Sequence, residues 1–271
     1  MTFTRAYEGA CDGLFKFRPY DTEDDRHRVK QLLAGRAFFP ILASFNDPFE
    51  GRMSFNLGDP ATFHQRLQKS LERIAINRNF EPPGQLDNVD PIRFVQNMTE
   101  SHQRGMRAEH RFFCLCGTRE HPLLWSHYGD CHRGICLHFG HKTHPFGHAL
   151  KVEYEDSYPE VEVLPDMGRD EAELLRRSVL TKAAYWAYEH EYRVVSIRDD
   201  NPTWHLDCPW SEDRSILYFN PKCIVAVTIG AEMHPDAEAD FRCLLSAMRP
   251  DIKVERAVLK KNQYALEFMP G

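Results

Sequence analysis

The first clear pattern along the chain is Leu14-Phe15-Lys16-Phe17-Arg18, where apolar and basic residues alternate ahead of Pro19. A period of two sends successive side chains to opposite faces, so the spacing predicts a first strand whose polar side chains share one face. Over 22–33 the apolar positions thin to helical spacing. Asp21 or Thr22 stands where an N-cap belongs and Gly35 falls just past the end, which predicts a helix. Residues 38–50 are rich in aromatics and turn formers, and the proline of Asn46-Asp47-Pro48 drives the preceding residue toward extended geometry, predicting an ordered turn.

Asp59-Pro60 supplies a capping carboxylate and a proline at the first helical position, so a second helix is expected from there to about residue 76. Glu81-Pro82-Pro83-Gly84 interrupts it before a third helix over 91–107. These two helices read as an insertion or lid at 59–108 within a single domain covering 1–271.

Further strands are expected at 111–116, 134–139, 149–154, 189–197, 215–219, 224–229, 253–258 and 264–268. Helices are expected at 122–128, 169–185 and 235–248. The pattern has no regular strand–helix–strand alternation. It therefore predicts an α+β fold of mixed, mostly antiparallel sheets flanked by helices rather than a doubly wound parallel sheet.

Composition agrees with a folded globule: 42% of the 271 residues are hydrophobic and 12% aromatic, enough for a sizeable core. Lys and Arg number 34 against 40 Asp and Glu, for a net charge of −6. That excludes the general basic field of a nonspecific nucleic-acid binder, while a local basic groove stays open. The eight cysteines are scattered and no apolar signal core follows Met1, so reduced thiols are expected in a cytoplasmic protein, or in one delivered into a target cell's cytosol. No apolar run approaches the ~20 residues that span a bilayer, so no membrane partner is expected.

The densest polar constellation is Thr181 to Arg193, with Lys182, Tyr185, Trp186, Tyr188, Glu189, His190, Glu191 and Arg193. On an extended chain from Tyr188, Glu189, Glu191 and Arg193 share one face. Neighbouring carboxylates raise each other's proton affinity and an arginine lowers it, so this stripe can set an acid apart from a base or hold ligand hydroxyls. The plainer alternative is a solvated face of paired charges. Trp125, Ser126, His127 and Tyr128 form a second candidate, weighed against a core tryptophan followed by a capping turn. Ser126 beside His127 lacks the G-x-S-x-G elbow of a hydrolase. Cys114, Cys116, Cys131, His132 and Cys136 lack zinc-ligand spacing and read as core thiols, so no metal is assigned. No phosphate loop or dinucleotide fingerprint is present.

Five ordered segments resemble one bacterial family, domain-of-unknown-function family 2971. They are Leu14 to Arg18, Phe45-Asn46-Asp47-Pro48-Phe49-Glu50, Trp125-Ser126-His127-Tyr128 with His132-Arg133-Gly134, Lys182 to Arg193, and Asn220-Pro221 followed by Ile224 to Gly230. A looser similarity, a basic residue on the first strand and a later E-x-E, points to the ADP-ribosyltransferase superfold. That similarity implies NAD as substrate, with Glu191 binding the nicotinamide ribose and Glu189 orienting the acceptor. It also implies Arg18, Lys16 or Lys182 at the pyrophosphate, with Arg193 in the same site. Trp125, His127, Tyr128 and Trp186 would form the walls, and Ser44 is the nearest counterpart of that superfold's Ser-Thr-Ser strand.

The expectation is thus an NAD-consuming enzyme that hydrolyses NAD or transfers ADP-ribose to a protein or nucleic-acid acceptor, as a toxin, effector or antiphage protein. Two alternatives stand beside it. One is a metal-dependent nucleic-acid-processing enzyme, in which Glu189, Glu191, Asp47 and Glu50 hold a divalent ion. The other is a noncatalytic ligand-binding module.

Overall fold

The alternation at residues 14–18 forms a strand deep in a large sheet. The structure is a computed structural model and describes residues 4–8, 13–78, 81, 84, 86–164, 171–196 and 208–271. Chain order begins β1 (Leu14–Arg18), α1 (Glu23–Leu33), β2 (Arg36–Phe38), β3 (Ser54–Asn56), α2 (Phe63–Arg78), α3 (Pro91–Glu109), β4 (Arg111–Cys116) and α4 (Pro122–Tyr128). It continues β5 (Ile135–Phe139), β6 (Leu150–Lys151), β7 (Glu153–Glu155), β8 (Glu160–Glu162), α5 (Glu171–Leu180), β9 (Thr181–Ala183) and β10 (Glu191–Ser196). The last elements are β11 (Ile216–Tyr218), β12 (Ile224–Ile229), α6 (Pro235–Met248), β13 (Lys253–Leu259) and β14 (Leu266–Pro270).

The chain folds as two compact units where the sequence suggested one domain with a helical insertion. The first comprises Met1–Pro40, Arg111–Val152 and Tyr185–Gly271; the second comprises Ile41–His110 and Glu153–Ala184.

The first unit is built on an eight-stranded sheet of order β14-β13-β12-β5-β1-β4-β10-β6. Its pairs are antiparallel except β12 with β13, whose parallel pairing is bridged by α6 as a single strand–helix–strand crossover. The mixed α+β expectation therefore holds. One face buries Leu14, Leu115, Leu137, Val194 and Val227 against Val29 and Leu33 of α1 and Phe241 and Leu245 of α6. The other buries Phe15, Phe17, Cys136 and Ala257 against Leu124 and Trp125 of α4. Because both faces are covered, central β5 is buried along its whole length.

Side-chain caps open α1, α3 and α6. Thr22, not Asp21, caps α1, forming a reciprocal capping box with Asp25. Asp90 accepts from the amides of Ile92 and Arg93 ahead of Pro91. After Asp59-Pro60 a 3-10 turn over Pro60–Thr62 precedes α2.

In the second unit α2, α3 and α5 accompany two short parallel pairs, β3 with β8 and β7 with β9. Phe63, Leu67, Val163 and Leu164 form its core, with Phe94 packed against them.

Several expectations are corrected. The strand at 149–154 is split between β6 and β7, which pair with different partners. The helix at 169–185 stops at Leu180, giving way to β9 and then a 3-10 turn over Ala184–Glu189; residues 169–170 lie outside the described residues. The strand at 189–197 begins only at Glu191, and the strand at 264–268 lies at Leu266–Pro270. Short β2, β3 and β8 have no period to read, since three residues cannot establish one.

Candidate functional site

The E-x-E segment does not lie on one strand. Glu189 closes the 3-10 turn, and His190 takes φ of 46° before β10 starts at Glu191. The carbonyl of His190 accepts from the Gly117 amide at 2.8 Å, which anchors this left-handed corner. The corner breaks the alternation that would have stacked Glu189, Glu191 and Arg193 on one face. The two carboxylates consequently have different partners. Glu189, 2% exposed, accepts from the Tyr128 hydroxyl at 2.6 Å. Glu191, also 2% exposed, accepts from Arg193 Nε at 2.8 Å and Nη2 at 3.0 Å. Both carboxylates, with burial, push the Cys116 thiol well above its ordinary range, burial being the larger cause.

Aromatic rings adjoin the first of these pairs. His127 is exposed on α4 and faces Trp186 at 6.1 Å and Tyr188 at 6.5 Å between ring centroids. Trp186 and Tyr188 are 5.9 Å apart, and His121 stacks on Tyr188 at 4.8 Å. Tyr128, whose hydroxyl meets Glu189, lies 6.2 Å from the His127 ring. Trp125 stands apart from this group. It is fully buried, packs edge-on against Phe17 at 5.0 Å and donates from Nε1 to the Arg119 carbonyl at 2.8 Å. Its core role excludes it from the walls of any open site.

Register decides where the basic residues of β1 point. Phe15 pairs with Cys116, which pairs with Glu191, so Phe15, Cys116 and Glu191 share one face of the sheet. Lys16 and Arg18, one residue out of phase with Phe15 and Phe17, point to the opposite face with Leu14. Lys16 Nζ donates to the Cys114 carbonyl at 2.5 Å and lies 4.8 Å from the Phe113 ring centre. Burial first, and then the Arg18 charge, lower the Lys16 ammonium to about 8. Arg18 is lowered to about 10, chiefly by burial, and its Nε is buried with no partner among the described residues.

Lys182 and Ser44 belong to the second unit. Lys182 Nζ stands 3.4 Å from Glu50 Oε1, both side chains being nearly inaccessible. Asp47 accepts from the Phe49 amide at 2.8 Å, so it closes the turn around Pro48. Ser44 Oγ is exposed and donates to the Ile41 carbonyl at 2.7 Å. Ser126 Oγ meets His132 Nε2 at 3.2 Å rather than His127. The His132 Nδ1 is buried without a partner among the described residues, so no group there orients the ring as a base.

Sequence reasoning missed a second polar cluster in the first unit. Arg119 Nη1 donates to Thr228 Oγ1 at 2.9 Å and to Glu255, and approaches His138 Nε2 at 3.2 Å. Thr228 Oγ1 lies 2.8 Å from the same His138 nitrogen, and Lys253 Nζ lies 2.7 Å from Glu255. Burial first, then Arg119, depress His138 to about 3. His138 and Thr228 each interrupt an otherwise apolar face of their strands, and Glu255 follows Lys253 on one face of β13. That interruption was the available signal, but nothing local shows that the three stand side by side.

No family model, no curated protein and no solved structure matches the chain. Among the described residues no group of three or more His, Cys, Asp or Glu side chains is arranged to hold a metal ion, and no helix is long and apolar enough to cross a membrane.

Proposed function

We propose that the chain consumes NAD, within an ADP-ribosyltransferase-like arrangement, and that Glu189 rather than Glu191 is the carboxylate at the reacting ribose. The supporting observation is the Tyr128–Glu189 hydrogen bond, 2.6 Å long, beside the rings of His127, Trp186 and Tyr188. Flat aromatic faces suit a nicotinamide ring. In the reaction the C1′–N bond breaks, its electron pair leaves with nicotinamide, and C1′ gains oxocarbenium character. A carboxylate near the ribose stabilises that charge. Water or a protein or nucleic-acid nucleophile then bonds to C1′ and releases its proton. No step needs a metal.

Glu191 has a positioning role in this reading, because the buried Arg193 engages both of its oxygens. Lys16 and Arg18 face the other side of the sheet and do not serve as pyrophosphate contacts for this site.

Nicotinamide release from NAD in EDTA, with cell lysate as acceptor source, tests the proposal. The expected result is turnover that Glu189→Gln abolishes while circular dichroism stays native, and that Glu191→Gln retains in part. Turnover lost in Glu191→Gln but kept in Glu189→Gln would reverse the two roles. If the native chain shows neither release nor any NAD-induced shift in melting, the reading fails.

A further inference from the structure

The lining of a cleft of about 740 Å³ in the first unit includes Phe15, Arg119, His138, His141, Lys142 and His190. Two members of the Arg119–His138–Thr228–Glu255 cluster, Arg119 and His138, line it, and Thr228 and Glu255 hold them from behind. The hydrogen-bond chemistry of that cluster fixes its protons. Arg119 Nη1 can only donate and stands 3.2 Å from His138 Nε2, so that nitrogen accepts, and Thr228 Oγ1, which also accepts from Arg119, turns its own hydrogen to it. His138 Nε2 is then an acceptor, and the neutral ring carries its proton on Nδ1. Among the described residues that Nδ1–H has no partner, and His138 lines the cleft.

Arg119 is similarly half-used. Its three polar contacts all run through Nη1, while Nε and Nη2 make no hydrogen bond among the described residues. The guanidinium is held flat by Phe268, 4.1 Å from its ring centre, with Phe15 at 5.9 Å, and 20% of the side chain is exposed. A fixed guanidinium with an unused Nε/Nη2 edge is a fork shaped for two oxygens of one anion. Glu255 does not cancel the local charge, because Lys253 pairs with it as well as Arg119. Exposed Lys142 adds a second cation to the lining, and Glu120 at the rim is the opposing carboxylate.

We propose that this cleft binds a phosphate monoester, its phosphoryl group seated between the Arg119 fork, the His138 Nδ1–H and Lys142. Three donors of different kinds suit a tetrahedral oxyanion better than a planar carboxylate, and the remaining cleft volume accommodates the organic part beside Phe15. The site needs nothing from the nicotinamide reading and stands or falls separately.

Inorganic phosphate is the probe, titrated calorimetrically into the full chain at fixed ionic strength, with acetate as the comparison anion. The expected result is saturable millimolar binding of phosphate and weaker binding of acetate. Arg119→Lys keeps the charge but loses the fork, and should weaken phosphate by about tenfold. Lys142→Ala, at an exposed position, should weaken it by about threefold with the fold intact. Nitrogen-15 spectra of the His138 ring should show the Nδ1–H tautomer, with that signal moving on phosphate addition. Absence of saturable binding, equal binding by Arg119→Lys, or acetate binding as tightly as phosphate would each overturn the proposal.

Discussion

Glu191 and Arg193 stand two residues apart on β10 with their side chains on the same face, and Arg193 Nε and Nη2 reach the two oxygens of Glu191 at 2.8 and 3.0 Å. Arg193 is 0% and Glu191 2% exposed. An ion pair so far from water is held by mutual compensation: removing one partner strands a charge, whereas removing both removes the desolvation cost as well. Arg193→Leu is therefore expected to cost about 3–5 kcal/mol. Combining Glu191→Leu with Arg193→Leu should recover much of that loss. Urea unfolding of the two single variants and the double variant checks it, and losses that simply add would contradict the pairing.

Tyr128 donates to a carboxylate with almost no access to water. Tyr128→Phe deletes only the hydroxyl and leaves Glu189 short of one donor, an expected loss of about 1.5–3 kcal/mol. The ring contact with His127 remains, so chemical denaturation should report what the hydroxyl contributes. A change within experimental error would show that Glu189 does not depend on it.

His138 gives stability a definite pH dependence. Its folded value of about 3 lies below the ordinary 6.5. Between those values the unfolded chain binds the extra proton, so stability present above about pH 6.5 falls as the solution is acidified toward 3. The limiting slope is about 1.4 kcal/mol per pH unit. His102, His132 and His148 are also lowered, chiefly by burial, so the His138 share is read as the difference between the native chain and His138→Gln from pH 7 to 5. Parallel curves would remove His138 from the account.

The cysteines divide by environment. Cys131 and Cys243 are exposed, while burial raises the thiols of Cys114, Cys116 and Cys136 and keeps them in the unreactive protonated form. Iodoacetamide on the native chain, followed by peptide mass spectrometry, should label Cys131 and Cys243 well before those three. Early labelling of Cys116 would mean that the Glu189 and Glu191 surroundings open readily.

Much of the element order was legible because its causes are local. The alternation of Leu14 to Arg18, the Thr22 and Asp90 caps and the prolines opening α3, α4 and α6 act within a few residues, and all lie where their elements begin. The stretch from Thr181 to Tyr185 misled: its alanines extend a helical pattern, yet β9 pairs with β7 instead. His190 was equally unreadable. A left-handed residue that is neither glycine nor asparagine is held by a distant contact, here the Gly117 amide, and it alone parts Glu189 from the strand that carries Glu191.

The sequence by itself determined the longer strands and most helices, since periodicity, capping and backbone stiffness are properties of neighbours along the chain. Tertiary structure alone decided which residues meet. Pairing of β1, β4 and β10 turned Lys16 and Arg18 away from Glu191, and pairing of β5, β12 and β13 brought His138, Thr228 and Glu255 to Arg119. A shift of one residue in either register would reverse every face, and register is set by partners remote in sequence.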